Sequence, residues 1–239
     1  MEVLYNDATH TYYTVVDGKV RIYTSATTLI NKYKQPFETK IRAKAYAEKH
    51  GHTPEYWIKQ WAKTSKAARE YGTAMHNAKE KIEYQTSPKA INTSEARLID
   101  YNSLEDGIYP ELKLWHHEWG IAGRADKCTI TTREDGRYMD IDDFKTNKVL
   151  DVRGFEFRDG SRKRLLYPIT HLEDCKLVLY TLQLSLYQYM AEYLGFKVGK
   201  RNIIHIPDGL KETVLNIPYL RKEIEMILND AKAKGYIAK

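Results

Sequence analysis

Residues 121–146 read IAGRADKCTITTREDGRYMDIDDFKT, two alternating runs that meet at Asp135-Gly136, a strong signal for a tight β-hairpin. With Asp135 and Gly136 as the two central residues of the turn, Asp126 lies opposite Lys145 and Asp143 opposite Cys128. Side chains alternate along a strand, so Asp126 shares a face with Ala122, Cys128 and Ile130, and Asp143 and Lys145 share one with Met139 and Ile141. Two carboxylates and a lysine therefore project from the more apolar face of adjacent strands. Like charges there are costly unless a cation neutralises them, and oxygen ligands at this spacing suit Mg²⁺ or Mn²⁺. A surface hairpin with an ordinary Asp126–Lys145 cross-strand ion pair has the same pattern, and a bulge would break the register. Asp140 and Asp142 fall on the other face, where solvation is the default.

On the N-terminal side, His10 to Tyr23 alternates around Asp17-Gly18 as a second hairpin, and Ser25 caps a short helix reaching about Tyr33. Residues 38–84 have helical periodicity interrupted near Gly51 and Pro54, which predicts two or three helices. A strand over 110–119 precedes the central hairpin. After a long loop come a helix from about Leu172 to Tyr193, strands over 201–206 and 213–217, and an amphipathic helix from Pro218 to Gly235 whose apolar face carries Leu220, Ile224, Ile227, Leu228 and Ala231. The expected fold is α/β, a central mixed sheet flanked by helices, in one domain. Its parts are an N-terminal hairpin and helix (1–37), a helical lobe (38–108) and a core (109–239).

Length and composition suit such a fold. A chain of 239 residues, 42% hydrophobic, buries a sizeable core, and its 28 aromatic residues exclude wholesale disorder. The most apolar stretch, Cys175 to Gly195, is interrupted by Lys176, Gln183, Gln188 and Glu192 and reads as a buried helix rather than a membrane span. The start, MEVLYNDATH, lacks a basic segment followed by an apolar one, so a cytosolic location is expected. Cys128 and Cys175 are too few for a four-thiolate zinc or iron–sulfur site and read as small buried hydrophobes. A net charge of +6 permits a polyanionic partner without demanding one. Nineteen tyrosines offer surfaces on which exposed bases stack, although most serve as ordinary core and surface residues.

Two helices hold further candidates. His76 and Glu80 are one turn apart with Gly72 a turn earlier, a stripe able to approach a sheet closely, while Ala67, Tyr71, Ala74, Met75, Ala78 and Ile82 form a neighbouring apolar stripe expected to pack. A histidine beside an apolar face is more often a boundary residue than a ligand. In the 172–193 helix Tyr180, Gln183 and Tyr187 share a face, and a buried Gln183 must either tie down backbone or reach a polar site.

Taken in order, these pieces resemble the PD-(D/E)xK nuclease superfamily, in particular its RecB-like exonuclease branch of phages and of mitochondrial genome maintenance. The similarity runs from His10 to about Pro207. It comprises the His-x-Tyr hairpin with Asp-Gly, Thr24-Ser25-Ala26-Thr27 opening a helix, Gly72-Thr73-x-x-His76, Glu111 in Tyr-Pro-Glu-Leu, Gly123-Arg124-Ala125-Asp126, Asp143-Phe144-Lys145-Thr146 and Gln183-Leu-Ser-Leu-Tyr187. Each piece is common by itself; the ordered series on the expected element types is not.

The resemblance implies that His76, Asp126, Asp143 and the Phe144 carbonyl hold one or two Mg²⁺ or Mn²⁺ ions, with no iron–sulfur cluster. It gives Lys145 the role of orienting or activating the attacking water and steadying phosphate charge, and Glu111 that of placing water or a second metal. Gln183 and Tyr187 would support the site and contact the nucleic-acid backbone, alongside Arg124 and Thr146. Arg162, Lys163 and Arg164, in the loop after Lys145, would track phosphates or simply be solvated. The expected function is metal-dependent DNA exonuclease activity on single strands or free ends, in recombination, repair or end processing of a phage-like genome, with a recombinase or single-strand-binding protein as the kind of partner. A structure-selective endonuclease and a catalytically silent nucleic-acid-binding module share the same fold.

Overall fold

The computed structural model describes residues 3–6, 8–86, 99–207 and 211–237; part of the expected helical lobe, residues 87–98, lies outside them. Eight strands form one mixed sheet with helices packed about it, as the alternation of sequence patterns predicts. The N-terminal hairpin pairs β2 (Thr11–Val16) with β3 (Lys19–Ser25), and the left-handed backbone of Asp17 and Gly18 (φ 49° and 73°) makes the turn. A three-residue strand, β1 (Leu4–Asn6), extends this hairpin and is too short to leave a periodic signal. Ser25 caps α1 (Ala26–Asn31) by accepting a hydrogen bond from the Thr28 N–H at 3.2 Å.

The helical lobe consists of α2 (Thr39–His50) and α3 (Pro54–Thr86), separated at Gly51 (φ 74°). At 33 residues α3 is about 50 Å long. From residue 67 onward its half-buried positions are Tyr71, Gly72, Met75, His76, Lys79, Glu80, Glu83 and Tyr84, whereas Ala67, Ala74, Ala78 and Ile82 are exposed. The packing stripe is therefore the one that carries His76, and most of the expected apolar stripe faces outward. Gly72 lets this helix meet the sheet: a Cβ there would lie 3.3 Å from Thr146 Oγ1.

In the centre, β5 (Ile121–Arg133) pairs antiparallel with β4 (Gly107–His116) along one edge. Its other edge is shared: β3 takes Ile121 and Ala122 in parallel, and β6 (Gly136–Lys145) takes Lys127 to Arg133 antiparallel. The two partners thus part company between Gly123 and Asp126. Arg133 pairs with Gly136, so the turn centres on Glu134-Asp135 and the register differs by two residues from the expected one. An even shift leaves every side chain on its expected face, where a shift of one would invert them all.

The sheet continues through β7 (Lys197–His205), parallel to β6, and β8 (Thr213–Asn216). Helix α4 (Lys176–Tyr193) begins at Cys175, later than expected, and buries Leu182, Leu184, Leu186 and Met190 completely, each worth roughly 1.5–3 kcal/mol. Helix α5 (Arg221–Lys234) ends at left-handed Gly235 and buries Ile224, Ile227, Leu228 and Ala231, the expected face. Both cysteines are free and buried. Among the described residues no helix is long and apolar enough to cross a membrane.

Candidate metal centre

The site forms where β3 and β6 diverge. Pro110 pairs with Lys127 and Leu112 with Ala125, which puts Glu111 opposite Asp126; Lys127 pairs with Asp142, which puts Asp126 opposite Asp143. Three carboxylates therefore occupy neighbouring register positions on three adjacent strands. Where the β5–β6 backbone ladder stops, the Asp126 side chain takes its place, Oδ2 accepting the Phe144 N–H at 2.7 Å. Glu111 has a left-handed backbone (φ 52°), a conformation disfavoured for a residue with a Cβ and a mark of local strain.

Each carboxylate has its own basic neighbour. Glu111 Oε2 forms an ion pair with Arg124 Nε. His76 Nδ1 lies 3.5 Å from Asp126 Oδ2, and Lys145 Nζ lies 2.5 Å from Asp143 Oδ2. The Asp126–Lys145 cross-strand pair expected from the hairpin is thus replaced by a pair within β6, a consequence of the two-residue shift. Gln183 Nε2 donates to Asp143 Oδ1 and to the Tyr187 hydroxyl, both at 3.1 Å, so the question of what a polar residue does on an apolar helix is answered: it holds a site carboxylate. Tyr187 in turn packs on Gly123. The Lys145 ammonium also lies 4.6 Å from the centre of the Tyr180 ring, and the Tyr180 hydroxyl donates to Asn147 Oδ1.

Burial dominates the electrostatics. It pushes Glu111 up to about 7 against the pull of Arg124. It also raises Asp143 to about 6, Lys145 pulling down and Asp126 pushing up. Burial would raise Asp126 as well, but His76, Lys145 and the Phe144 N–H outweigh it and hold this carboxyl below its usual range. The hydrogen bond to Asp126 raises His76 despite burial. Burial also works against the charge on Lys145, yet the two aspartates keep its pKa above that of a free lysine. Without a cation in the site, the ammonium form of this lysine is therefore favoured.

Ligand atoms of His76, Glu111 and Asp126 all lie within 4.8 Å of one another. Asp143 stands beside this group, its fully buried Oδ2 in the ion pair with Lys145. A convergent imidazole and carboxylate set with a further buried carboxylate beside it fits a divalent cation: the oxygens suit Mg²⁺ or Mn²⁺, and the imidazole nitrogen tilts the set toward Mn²⁺. Glu111, rather than Asp143, completes the closest trio. At Phe144 the contact to the site is made by the N–H; Thr146 sits under Gly72 at the site's rim.

Other expected residues lie elsewhere or are engaged. Arg162 pairs with Glu156, Lys163 with Asp174 at 2.6 Å, and Arg164 donates to the His171 carbonyl at 2.7 Å, so all three tie down their own loop. Asp142, on the face expected to be solvated, is half-buried: it accepts from Asn202 at 2.8 Å and lies 3.8 Å from Lys127, whose ammonium also contacts Glu83 of α3 at 3.0 Å. Burial raises its pKa. Lys63, Arg69 and Lys148 were not singled out by the sequence, since no motif marks them; they line a cavity of about 730 Å³ beside His76, Lys145 and Tyr180.

No family model matches the chain, and no curated protein does. Among solved structures, a likeness is found to the crystal structure of SSO0001, at 15% identity and a TM-score of 0.40 over 88% of this chain and 74% of that one. A resemblance so slight says nothing about activity.

Proposed function

We propose that this chain is a Mg²⁺- or Mn²⁺-dependent deoxyribonuclease of the PD-(D/E)xK type, an exonuclease acting on single-stranded DNA or free ends in recombination, repair or end processing. The observation that carries this reading is the row Glu111, Asp126 and Asp143 on three adjacent strands, joined from outside the sheet by His76 and flanked by Lys145. His76, Glu111 and Asp126, with Asp143 beside them, would hold the cation, which supplies a Lewis acid for the phosphoryl oxygens and lowers the pKa of water.

The chain's own groups do the rest. Lys145 sets a positive charge where phosphate charge develops, and its stacking on Tyr180 limits where that charge can move. Glu111, which burial pushes up to about 7, gives up its proton in taking the cation. Gln183 fixes the Asp143 carboxylate, and Tyr187 fixes Gln183. The adjoining cavity carries Lys63, Arg69 and Lys148 for phosphates and Tyr71 and Tyr180 for bases, and among the described residues no carboxylate lines it.

The test is a time course on end-labelled single- and double-stranded DNA, linear and covalently closed, with Mg²⁺, Mn²⁺ or EDTA. Metal-dependent shortening of linear DNA that spares circles is expected. Cleavage of circles would make the protein an endonuclease, and binding without cleavage under every condition would make it a silent binding module.

A further inference from the structure

Where α2 crosses onto α3, the helical lobe holds a cavity of about 360 Å³. One wall is a single stripe of α2, formed by Arg42, Ala45, Tyr46 and Lys49 at the i, i+3, i+4, i+7 spacing of one helix face. Trp61 of α3 and Phe37, just before α2, close the other side. None of these six residues lines the 730 Å³ cavity, and Trp61 precedes His76 by 15 residues, about 22 Å along α3. The groove is thus separate from the carboxylate cluster, and among the described residues no carboxylate lines it. Its apolar rim is open to solvent, Phe37 being 62% and Ile41 65% exposed.

Charge and ring geometry say what covers this surface. Within α2 four cations, Lys40, Arg42, Lys44 and Lys49, stand against one acid, Glu48. Neither Arg42 nor Lys49 has an acidic partner within 4.0 Å among the described residues. The rings are not a platform for stacked bases, which needs free ring faces. Trp61 meets Phe37 and Tyr46 edge-on, at 71° and 73°, the His50 ring lies 4.1 Å from that of Tyr46, and the Arg42 guanidinium covers Phe37 at 5.7 Å. Walls built from ring edges suit an inserted side chain instead. We propose that this groove docks an acidic peptide segment of a partner protein, which places one apolar side chain in the cavity and carboxylates on Arg42 and Lys49. Those two residues stand about 10 Å apart along the α2 axis. An extended chain advances about 3.3 Å per residue, so carboxylates three residues apart, with the apolar residue between them, span the same distance. The groove recruits a partner and takes no part in the reaction proposed for the carboxylate cluster.

Fluorescence anisotropy with the labelled peptide Gly-Asp-Phe-Ser-Asp-Gly tests this. At low salt it should bind the protein saturably below about 1 mM, and less tightly as salt rises. Replacing the peptide's Phe by Ser, or both of its Asp by Asn, should weaken binding roughly tenfold in each case. Arg42→Glu should also weaken it roughly tenfold, whereas Arg42→Lys, which keeps the charge, should stay within about twofold. Should charge reversal unfold α2, Lys49→Gln probes the second contact with a loss of roughly threefold. An unlabelled oligothymidylate, added in EDTA, should leave the peptide bound. Absence of saturable binding, or equal affinity in the wild type and the charge variants, would overturn the proposal. Displacement by the oligothymidylate, with the same variants losing affinity for it, would give the groove to nucleic acid and overturn the peptide assignment.

Discussion

A Cβ built on Gly123 would sit 2.5 Å from Tyr187 Cε1 and 3.3 Å from Cδ1, with Ala26 Cβ at 3.4 Å closing the other side. Ordinary carbon contacts are about 3.5–4.0 Å, so Gly123→Ala must displace the ring by roughly 1 Å. That ring is buried, and overpacking a core position of this kind costs about 1–3 kcal/mol. At about 2–4 °C per kcal/mol for a chain of this size, the melting temperature should fall by about 2–12 °C. The consequence for the site is larger, because the Tyr187 hydroxyl receives Gln183 Nε2, and the same nitrogen holds Asp143 Oδ1. Moving that chain by about 1 Å should reduce hydrolysis about 100-fold, although Gly123 touches no proposed ligand. Thermal unfolding and single-turnover cleavage measure the two effects, and Gly123→Ala combined with Tyr187→Leu should recover stability but not activity. A Gly123→Ala protein that melts within 1 °C of the wild type and cleaves at the same rate would refute the linkage from Gly123 through Tyr187 and Gln183 to Asp143.

Three more outcomes are expected. Lys145→Ala should slow cleavage roughly 10²–10³-fold while leaving strand affinity in EDTA nearly unchanged, a comparison made by single-turnover kinetics and anisotropy. Mg²⁺ or Mn²⁺ at about 100 times its dissociation constant should stabilise the wild type by about 2.7 kcal/mol in a thermal melt, and Asp126→Asn should abolish the gain. His116 is buried against Tyr189 and Tyr193, its Nδ1 without a hydrogen-bond partner among the described residues, and burial lowers its pKa to about 4. Its neutral form is thus favoured by folding, so the stability it contributes is whole above about 6.5 and is lost as pH falls through 4, up to about 3 kcal/mol. Urea titrations at pH 7 and 4 should show His116→Phe losing less stability than the wild type.

What could be read from the sequence followed from parity and punctuation. The face of each residue in the central hairpin survived a mistaken turn because the error was even, and the Asp17-Gly18 turn, the Ser25 cap and the Gly235 stop are local devices that act wherever they occur. The Asp126 and Asp143 neighbourhood was legible for that reason, while their cationic partners were not, since partner choice depends on absolute register. The packing of α3 was illegible for a different reason. Hydrophobic periodicity presumes an apolar partner, and α3 lies against a site: its inward face carries His76, Lys79, Glu80 and Glu83, and its alanines look outward. Lys79 and Glu83 hold the helix there through Glu212 at 2.6 Å and Lys127 at 3.0 Å, long-range ion pairs that no spacing rule anticipates. Asp142 joins the same network and loses the solvation expected of it.

That network explains how a helix with no fully buried side chain can place a site residue. Single ion pairs at a surface contribute little, but Lys127 is shared between Glu83 and Asp142 in a half-buried setting, where removing one partner strands the other's charge. A compact apolar patch, Phe144, Ile204 and Ile206 with Met75 against it, supplies the remaining adhesion at the residue next to His76. The Phe144 ring belongs to this patch while its N–H belongs to Asp126, so docking of α3 and orientation of the Asp126 carboxylate act on one residue. With Arg124 and Lys145 each beside one acid of the row and His76 beside the third, the cluster is partly charge-compensated before any cation arrives. A divalent ion would take over that compensation, and the positive charges of Arg124 and Lys145 would then be available to the oxygens of a phosphodiester.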